Sequence, residues 1–484
     1  MSLIENFIDG KFVPSDDYLP NIDPATGQVY GRIANSTKED TLMAIDAAKR
    51  AQPLWLAKTM SERASILRRV ADLLEQKIDE FANAESRDQG KPVWLAENVD
   101  IPRAVHNFRH FANNAVNDRE LAVPQPRSQF LHYTTRSPVG VVGIITPWNL
   151  PLYLLSFKLA PALVYGNAVV AKPSELTSMT AYMLAKLFVE AGLPDGVCNF
   201  VFGRGVPVGE TLCTHPDVRA ISFTGSTLVG TRIAQIAAPM AKKCSLEMGG
   251  KNAAIVFADA DQRKCVRTLL RACFLNQGEI CLCTSRIFVH ESIYETFVAD
   301  FVQQTRTLKV GPPSERDSFL GALVSREHLE KVRGYVDLAV EEGGRMLVGG
   351  AEAVEGLGDE HKTGFFMNPT IFDGLAADSR CMQEEIFGPL VCVAPFRDEA
   401  EVIEKTNSVE FGLCASVWTT DVRRVHRIAG KLDVGTVWFN CWLVRHLHMP
   451  FGGTKMSGLG REGTDASRDF YTECKTVCVD FNEI

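Results

Sequence analysis

Apolar residues near the N-terminus recur at helical spacing. Ile66, Leu67, Val70, Leu73, Leu74, Ile78 and Phe81 share one side of a stretch from about Ser61 to Ser86, which predicts one amphipathic helix. Ahead of it, Ser36-Thr37-Lys38-Glu39 reads as a capping box opening a helix through about Arg50. From Val139 the pattern changes. Residues 139–146, 167–171, 197–202 and 220–223 are short apolar runs. Helical patterning fills the spaces between them: after Pro151, over 177–191, over 208–214, and from about Leu228. Strands apolar on both faces, alternating with helices, predict a parallel sheet covered on both sides, the doubly wound α/β architecture that binds nucleotides. A second α/β series starts near Gly250, with strands expected at 253–257, 286–289, 390–395, 416–418 and 436–440 and helices at 292–307 and 326–342. Two pieces fit neither series. These are the polar segment 117–136 and the C-terminal segment 471–481; the latter alternates enough to be an edge strand, unpaired edges invite association, and both are expected at an oligomer contact.

Composition narrows the class. The chain has 484 residues, 46% of them hydrophobic, with 51 basic against 59 acidic side chains and a net charge of -8. That excludes a disordered chain and makes a nucleic-acid partner a poor expectation. Thirteen cysteines, an odd number with none in the first 197 residues, point to a reducing compartment rather than a disulfide framework. Residues 1–10 lack the apolar core of a signal peptide. Residues 138–157 are uncharged and nearly long enough to span a bilayer, but Pro147 and Pro151 interrupt them around Asn149. The expectation is a cytoplasmic protein with no membrane partner.

Several segments carry candidate chemistry. Gly203-Arg204-Gly205-Val206-Pro207-Val208-Gly209 approaches a dinucleotide fingerprint with its last spacing one residue too long, and Gly225 to Gly230 has P-loop spacing without the following Lys-Ser/Thr. The second still sets glycines and hydroxyls before a helix N-terminus, where a pyrophosphate fits as well as an ordinary turn does. Lys172-Pro173-Ser174-Glu175 follows a buried strand and could grip a ribose or form a surface turn; a carboxylate there favours NAD over NADP. Glu247 lies among apolar residues and glycines, surroundings that disfavour its charged form and suit a base near neutral pH, although an N-cap or ion pair is the plainer alternative. Asn276 to Cys283 offers two thiols. Buried cysteines are mostly small hydrophobes, and no second cluster supports a metal, His446 and His448 being far away in sequence, so no metal is expected.

Taken together and in order, Pro147-Trp148-Asn149, Lys172 to Glu175, Phe223 to Ser226, Leu246 to Lys251, Asn276 to Cys281, Glu384 to Pro389 and Pro450 to Gly453 resemble the aldehyde dehydrogenase superfamily over nearly the whole chain. The resemblance implies an NAD-binding domain (1–116 and 138–249), an α/β catalytic domain (250–450) and a small β bridging and oligomerisation element (117–137 and 465–484). It implies Cys281 as nucleophile, Asn149 as oxyanion donor and Glu247 as general base. Lys172 and Glu175 would hold the adenosine ribose, Ser226 the pyrophosphate, and Glu385 and Phe387 the nicotinamide half, with Trp148 beside the cofactor. A homo-oligomer, dimer or tetramer, is implied as well. One position departs from the common pattern: Glu279 stands where the family usually has Gln, and a carboxylate so near could raise the Cys281 pKa.

For substrate, segments 100–109 and 440–445 carry arginines where relatives border the substrate channel. The whole pattern resembles the 2-aminomuconic semialdehyde dehydrogenase branch of tryptophan (kynurenine) catabolism, in which two arginines hold a substrate carboxylate; Arg103 and Arg445 match them by position. The rival is 2-hydroxymuconic semialdehyde, with a retinal-type aldehyde further off. A non-catalytic, crystallin-like role and CoA-acylating oxidation are the competing classes.

Overall fold

The computed structural model describes residues 2–126 and 128–482; the outermost positions of the expected bridging segment, 483–484, and position 127 within it lie outside the described residues. A mixed α/β fold with two large sheets carries the molecule. The first sheet has eight strands. Lys243–Glu247, Val218–Thr224, Val141–Ile145, Ala168–Lys172 and Cys198–Phe200 run parallel side by side in that order. The chain starts in the middle, at Val141–Ile145, moves outward through Ala168–Lys172, then returns to the other side at Val218–Thr224. The carboxyl end of Val141–Ile145 is therefore a topological switch point, where the flanking loops diverge and open a crevice. Antiparallel strands close both edges: Gly458–Leu459 beside Lys243–Glu247, and Asn6–Ile8 with Lys11–Val13 beside Cys198–Phe200.

The second sheet has seven strands, in the order Arg345–Val348, Thr370–Asp373, Leu390–Phe396, Thr284–His290, Asn252–Val256, Cys414–Trp418 and Thr436–Phe439, all parallel except the first. A third, antiparallel sheet joins Ala122–Gln125, Phe130–Pro138 and Thr472–Asp480. Thr472 to Asp480 register against Pro138 to Phe130 along their full length. The outer C-terminal strand is exposed at most positions.

Two expectations need correction. The capping box belongs to Thr37 and Asp40, one residue later than expected. Thr37 Oγ1 accepts from the Asp40 N–H, and the Asp40 carboxylate accepts from the Thr37 N–H at 2.8 Å. The helix then runs Lys38–Leu56, past Arg50 and through Pro53. The single helix expected over 61–86 is two, Met60–Glu75 and Ile78–Gln89, broken at Gln76 and Lys77. No glycine or proline marks the break. Both pieces touch Met179–Ala191, but Met60–Glu75 packs mainly on Ile101–Ala115 and Ile78–Gln89 on residues 96–100, and this tertiary packing overrides a continuous local pattern.

Candidate active site

The loop joining helix Gln262–Phe274 to strand Thr284–His290 holds the first group. Asn276 and Gln277 both take left-handed backbone angles, φ 53° and 55°, uncommon for residues with a side chain. Gly278 follows at φ 73°, where a Cβ would run into the Gly388 carbonyl. This tight turn brings Cys281 out at the wall of a narrow pocket also lined by Glu247, Tyr153, Phe451, Glu462 and Arg445. Asn252 Nδ2 donates to the carbonyls of Cys281 (2.7 Å) and Cys283 (2.9 Å), fixing the chain on both sides of the intervening Leu282. Burial pushes the Cys281 thiol up to about 12, Glu385 and Glu247 add to the rise, and Arg445 opposes it. The thiol is protonated at rest. Glu279 is not among the leading causes, contrary to expectation. It is fully buried, and burial holds its carboxyl well above the usual carboxylate range against the pull of hydrogen bonds from Val324, Gln89 and Gln277 and of the Lys91 charge.

Asn149 lies at the switch point, between strand Val141–Ile145 and helix Pro151–Val164, where Pro151 at the first helical position pre-sets the entry. Its Nδ2 donates to the Glu279 carbonyl at 2.8 Å. An amide nitrogen has two hydrogens, so one is spare. Its own carbonyl accepts from Lys91 Nζ (3.0 Å) and Asn276 Nδ2 (3.2 Å). Lys91 is fully buried and pairs with Asp100.

Glu247 ends strand Lys243–Glu247 and is 4% exposed, and neither carboxyl oxygen has a hydrogen-bond partner. Burial, then repulsion from Glu462, raise its pKa well above the usual range, while Lys158, Arg445 and Arg461 pull it down. Lys158 Nζ is 2.6 Å from Glu462 Oε1 and donates to Ser222 Oγ at 3.2 Å. This lysine–acid pair, with Lys91, Asp100 and Asn252, escaped sequence reading. Lys158 alone left a signal: it is the one charged residue in the apolar helix Pro151–Val164.

A separate cleft of about 840 Å³ opens at the carboxyl edge of the first sheet. Lys172 and Glu175 line it, paired at 3.0 Å, together with Gly205, Pro207, Val229 and Ile233. Its size, its apolar walls and the lysine–carboxylate pair at its rim suit a dinucleotide, and the residues present fit that group. Ser226 does not line this cleft. It N-caps helix Thr227–Ala237, its Oγ accepting from the Val229 N–H at 3.3 Å. Glu385 Oε1 accepts from the Gly250 N–H at 3.0 Å, and a Cβ at Gly249 would strike the same carboxylate. Phe387, at φ 62°, meets Trp148 edge to face at 5.3 Å. Glu385 and Phe387 share a small pocket with Gly250 and Ile280, beside the loop that carries Cys281.

The two arginines flank Tyr153. Arg445 Nη1 donates to Tyr153 Oη at 3.4 Å and its guanidinium sits 3.6 Å from the centre of the Phe451 ring. Arg103 lies over the Tyr153 ring at 5.5 Å, and its Nε is buried without a partner. Arg445 lines the Cys281 pocket, and Arg103 stands outside its inner wall. Neither has a carboxylate of this chain within ion-pairing distance among the described residues, so the structural ion pair that was the plainer alternative is missing. No group of His, Cys, Asp or Glu suited to a metal occurs among the described residues.

Against known proteins, the sequence profile described as the aldehyde dehydrogenase family matches residues 12–477. The 2-aminomuconic semialdehyde dehydrogenase of Homo sapiens is 53% identical over 477 residues, covering 99% of this chain and 98% of the relative. The 2-hydroxymuconic semialdehyde dehydrogenase of Pseudomonas sp. (strain CF600) is 43% identical, covering 99% and 100%. Among solved structures, the NAD+ complex of an aldehyde dehydrogenase from Bacillus cereus superposes with a TM-score of 0.96 at 38% identity, covering 99% of this chain and 97% of that one.

Proposed function

The chain belongs to the aldehyde dehydrogenase family, and from that premise we propose that it oxidises a carboxylated semialdehyde to its acid with NAD, the substrate being 2-aminomuconate 6-semialdehyde. One observation carries the reading: a cysteine, a carboxyl without a hydrogen-bond partner and an arginine without an ion-pair partner among the described residues line the same narrow pocket. The 53% identity to a relative named for this substrate supports it.

In the mechanism, Cys281 Sγ attacks the aldehyde carbon as its proton passes by way of Glu247, in the same pocket, to solvent, forming a thiohemiacetal. The spare Asn149 amide hydrogen and the Cys281 N–H meet the charge that develops on oxygen, and one such donor contributes ~3–4 kcal/mol. Lys172 and Glu175 would hold the adenosine ribose of NAD, Ser226 at the start of helix Thr227–Ala237 its pyrophosphate, and Glu385 and Phe387 its nicotinamide half, with Trp148 beside it. NAD, when bound, would supply the acceptor for the hydride of the thiohemiacetal carbon, so that a thioester is left on Cys281. Glu247 takes the proton of the water that releases the acid from sulfur; its raised pKa suits a base near neutral pH. Arg445 and Arg103 hold the distal carboxylate. The same reading assigns 1–116 and 138–249 to the cofactor, 250–450 to catalysis, and 117–137 with 465–484 to joining subunits into a dimer or tetramer. A cytoplasmic location completes it, supported by the odd cysteine count.

The test is a steady-state comparison of 2-amino- and 2-hydroxymuconic semialdehydes and a plain aliphatic aldehyde, with NAD and NADP and without CoA. The amino compound with NAD should have the highest kcat/KM. An aliphatic aldehyde turned over equally well would remove the carboxylate from the reading, a hydroxy preference would replace the substrate, and a requirement for CoA would replace water as the acyl acceptor.

A further inference from the structure

Glu279 is buried to 0% exposure, two residues before Cys281, and the mechanism above does not use its side chain. Its surroundings are a knot of three chain segments. From the end of helix Ile78–Gln89, the Gln89 side-chain amide lies 2.6 Å from Glu279 Oε2. From the nucleophile turn, Gln277 Nε2 lies 3.4 Å from the same oxygen. From the chain ahead of helix Arg326–Glu341, the Val324 N–H donates to Oε1 at 3.2 Å. Main-chain contacts bind the same three segments: the Ala322 N–H donates to the Gly90 carbonyl at 3.0 Å, and Gln277 Nε2 to the Ala322 carbonyl at 3.2 Å.

Among the described residues no cation pairs directly with this carboxyl: the Lys91 charge pulls its pKa down from a distance, and Lys91 is itself paired with Asp100. His328 Nε2 comes to 3.6 Å of Oε1, but it lies 2.7 Å from the Phe387 carbonyl and must carry hydrogen there. Burial holds that ring near a pKa of about 4, so it is neutral. A bare carboxylate in this cage would be an unpaired buried charge, which costs far more than a buried neutral acid. The 2.6 Å contact agrees. It is shorter than the usual N–H···O range of about 2.7–3.2 Å and sits within the O–H···O range of about 2.5–3.0 Å. With the Gln89 amide turned over, Glu279 Oε2–H would donate to Gln89 Oε1, a buried oxygen that otherwise has no partner.

The main chain of the same residue reaches the reacting centre. The Glu279 carbonyl is what the Asn149 side-chain amide donates to, at 2.8 Å. We infer that Glu279 is a positioning residue, an uncharged carboxylic acid that locks the turn before Cys281 so that its own carbonyl aims the Asn149 amide. This rests on the proposed roles of Cys281 and Asn149.

Glu279→Gln and Glu279→Ala test it, with Cys281→Ala alongside. The inference expects Gln, a neutral isostere, to keep kcat within about threefold, and Ala to lower kcat by about 10²-fold, the scale of a displaced catalytic group, with little change in KM for aldehyde or NAD. Infrared difference spectra of wild type against Glu279→Gln at neutral pH should contain a protonated-carboxyl band. If Gln is as damaged as Ala, or a carboxylate band replaces the acid band, the residue is charged and the inference is wrong. If Ala keeps full kcat, the carboxyl positions nothing. An active Cys281→Ala enzyme would instead overturn the reading of the site, and this inference with it.

Discussion

A thiol pushed up to about 12 is a poor nucleophile at rest, and Cys281 shares its pocket with an acid that is itself raised. Each negative charge disfavours the other, so the pocket holds at most one comfortably. Alkylation of Cys281 by iodoacetamide in the enzyme without cofactor should therefore keep climbing through the alkaline range; a plateau near neutral pH would contradict this. Asn149→Ala should lower kcat by about 10²–10³-fold with the fold intact, measured with saturating aldehyde. Arg445→Ala should raise KM for the carboxylated semialdehyde and leave that for an aliphatic aldehyde unchanged; equal effects would sink the carboxylate role. At this scale Cys281 and Glu247, singled out from the ordered family motifs, do come together at one pocket. Lys91, Asp100 and Glu462 were not legible. Each is an ordinary charged residue in sequence, and only the fold buries it against a distant partner: Lys91 near Asn149, Glu462 near Glu247.

Elements were legible where local pattern and packing agree. The parallel strands at 141–145, 168–172 and 218–224 fall inside or within two residues of the expected runs, because a strand buried on both faces writes its apolar content directly into sequence. The capping pair Thr59 and Glu62 had the S/T-x-x-E spacing and went unread inside what looked like a longer helix. Gly458–Leu459 could not be read at all. Two residues have no period, and their place beside Glu247 comes from pairing across more than two hundred positions. The C-terminal strand Thr472–Asp480 carries its own prediction. It is the outer strand of its sheet, and its free edge suits a second copy. Thr476→Pro removes an N–H that faces the free edge in mid-strand and should lower the assembly state seen by sedimentation. An unchanged assembly would remove this strand from the subunit contact.

Across the whole molecule, buried acids behind the site make stability depend on pH. Burial raises Glu85 to about 7 and Asp88 to about 6, against about 4.3 and 3.9 for unfolded carboxylates. A raised folded pKa means the fold holds the proton more tightly than the unfolded chain. This contribution is full below the unfolded values and is lost as pH rises through about 6 for Asp88 and about 7 for Glu85. The fall in Tm between pH about 4 and about 7 should be smaller in Glu85→Gln than in wild type; an identical fall would show Glu85 ionised throughout. The central claim concerns one bond, between Cys281 sulfur and the substrate carbon, broken by water under Glu247. Glu247→Gln should stall after that bond forms. Intact-protein and peptide mass spectrometry of this variant, quenched after mixing with semialdehyde and NAD, should find one acyl group per chain, on the peptide's Cys281 and not on Cys283. An acyl group on another residue, or none while NADH is still released, would contradict the account.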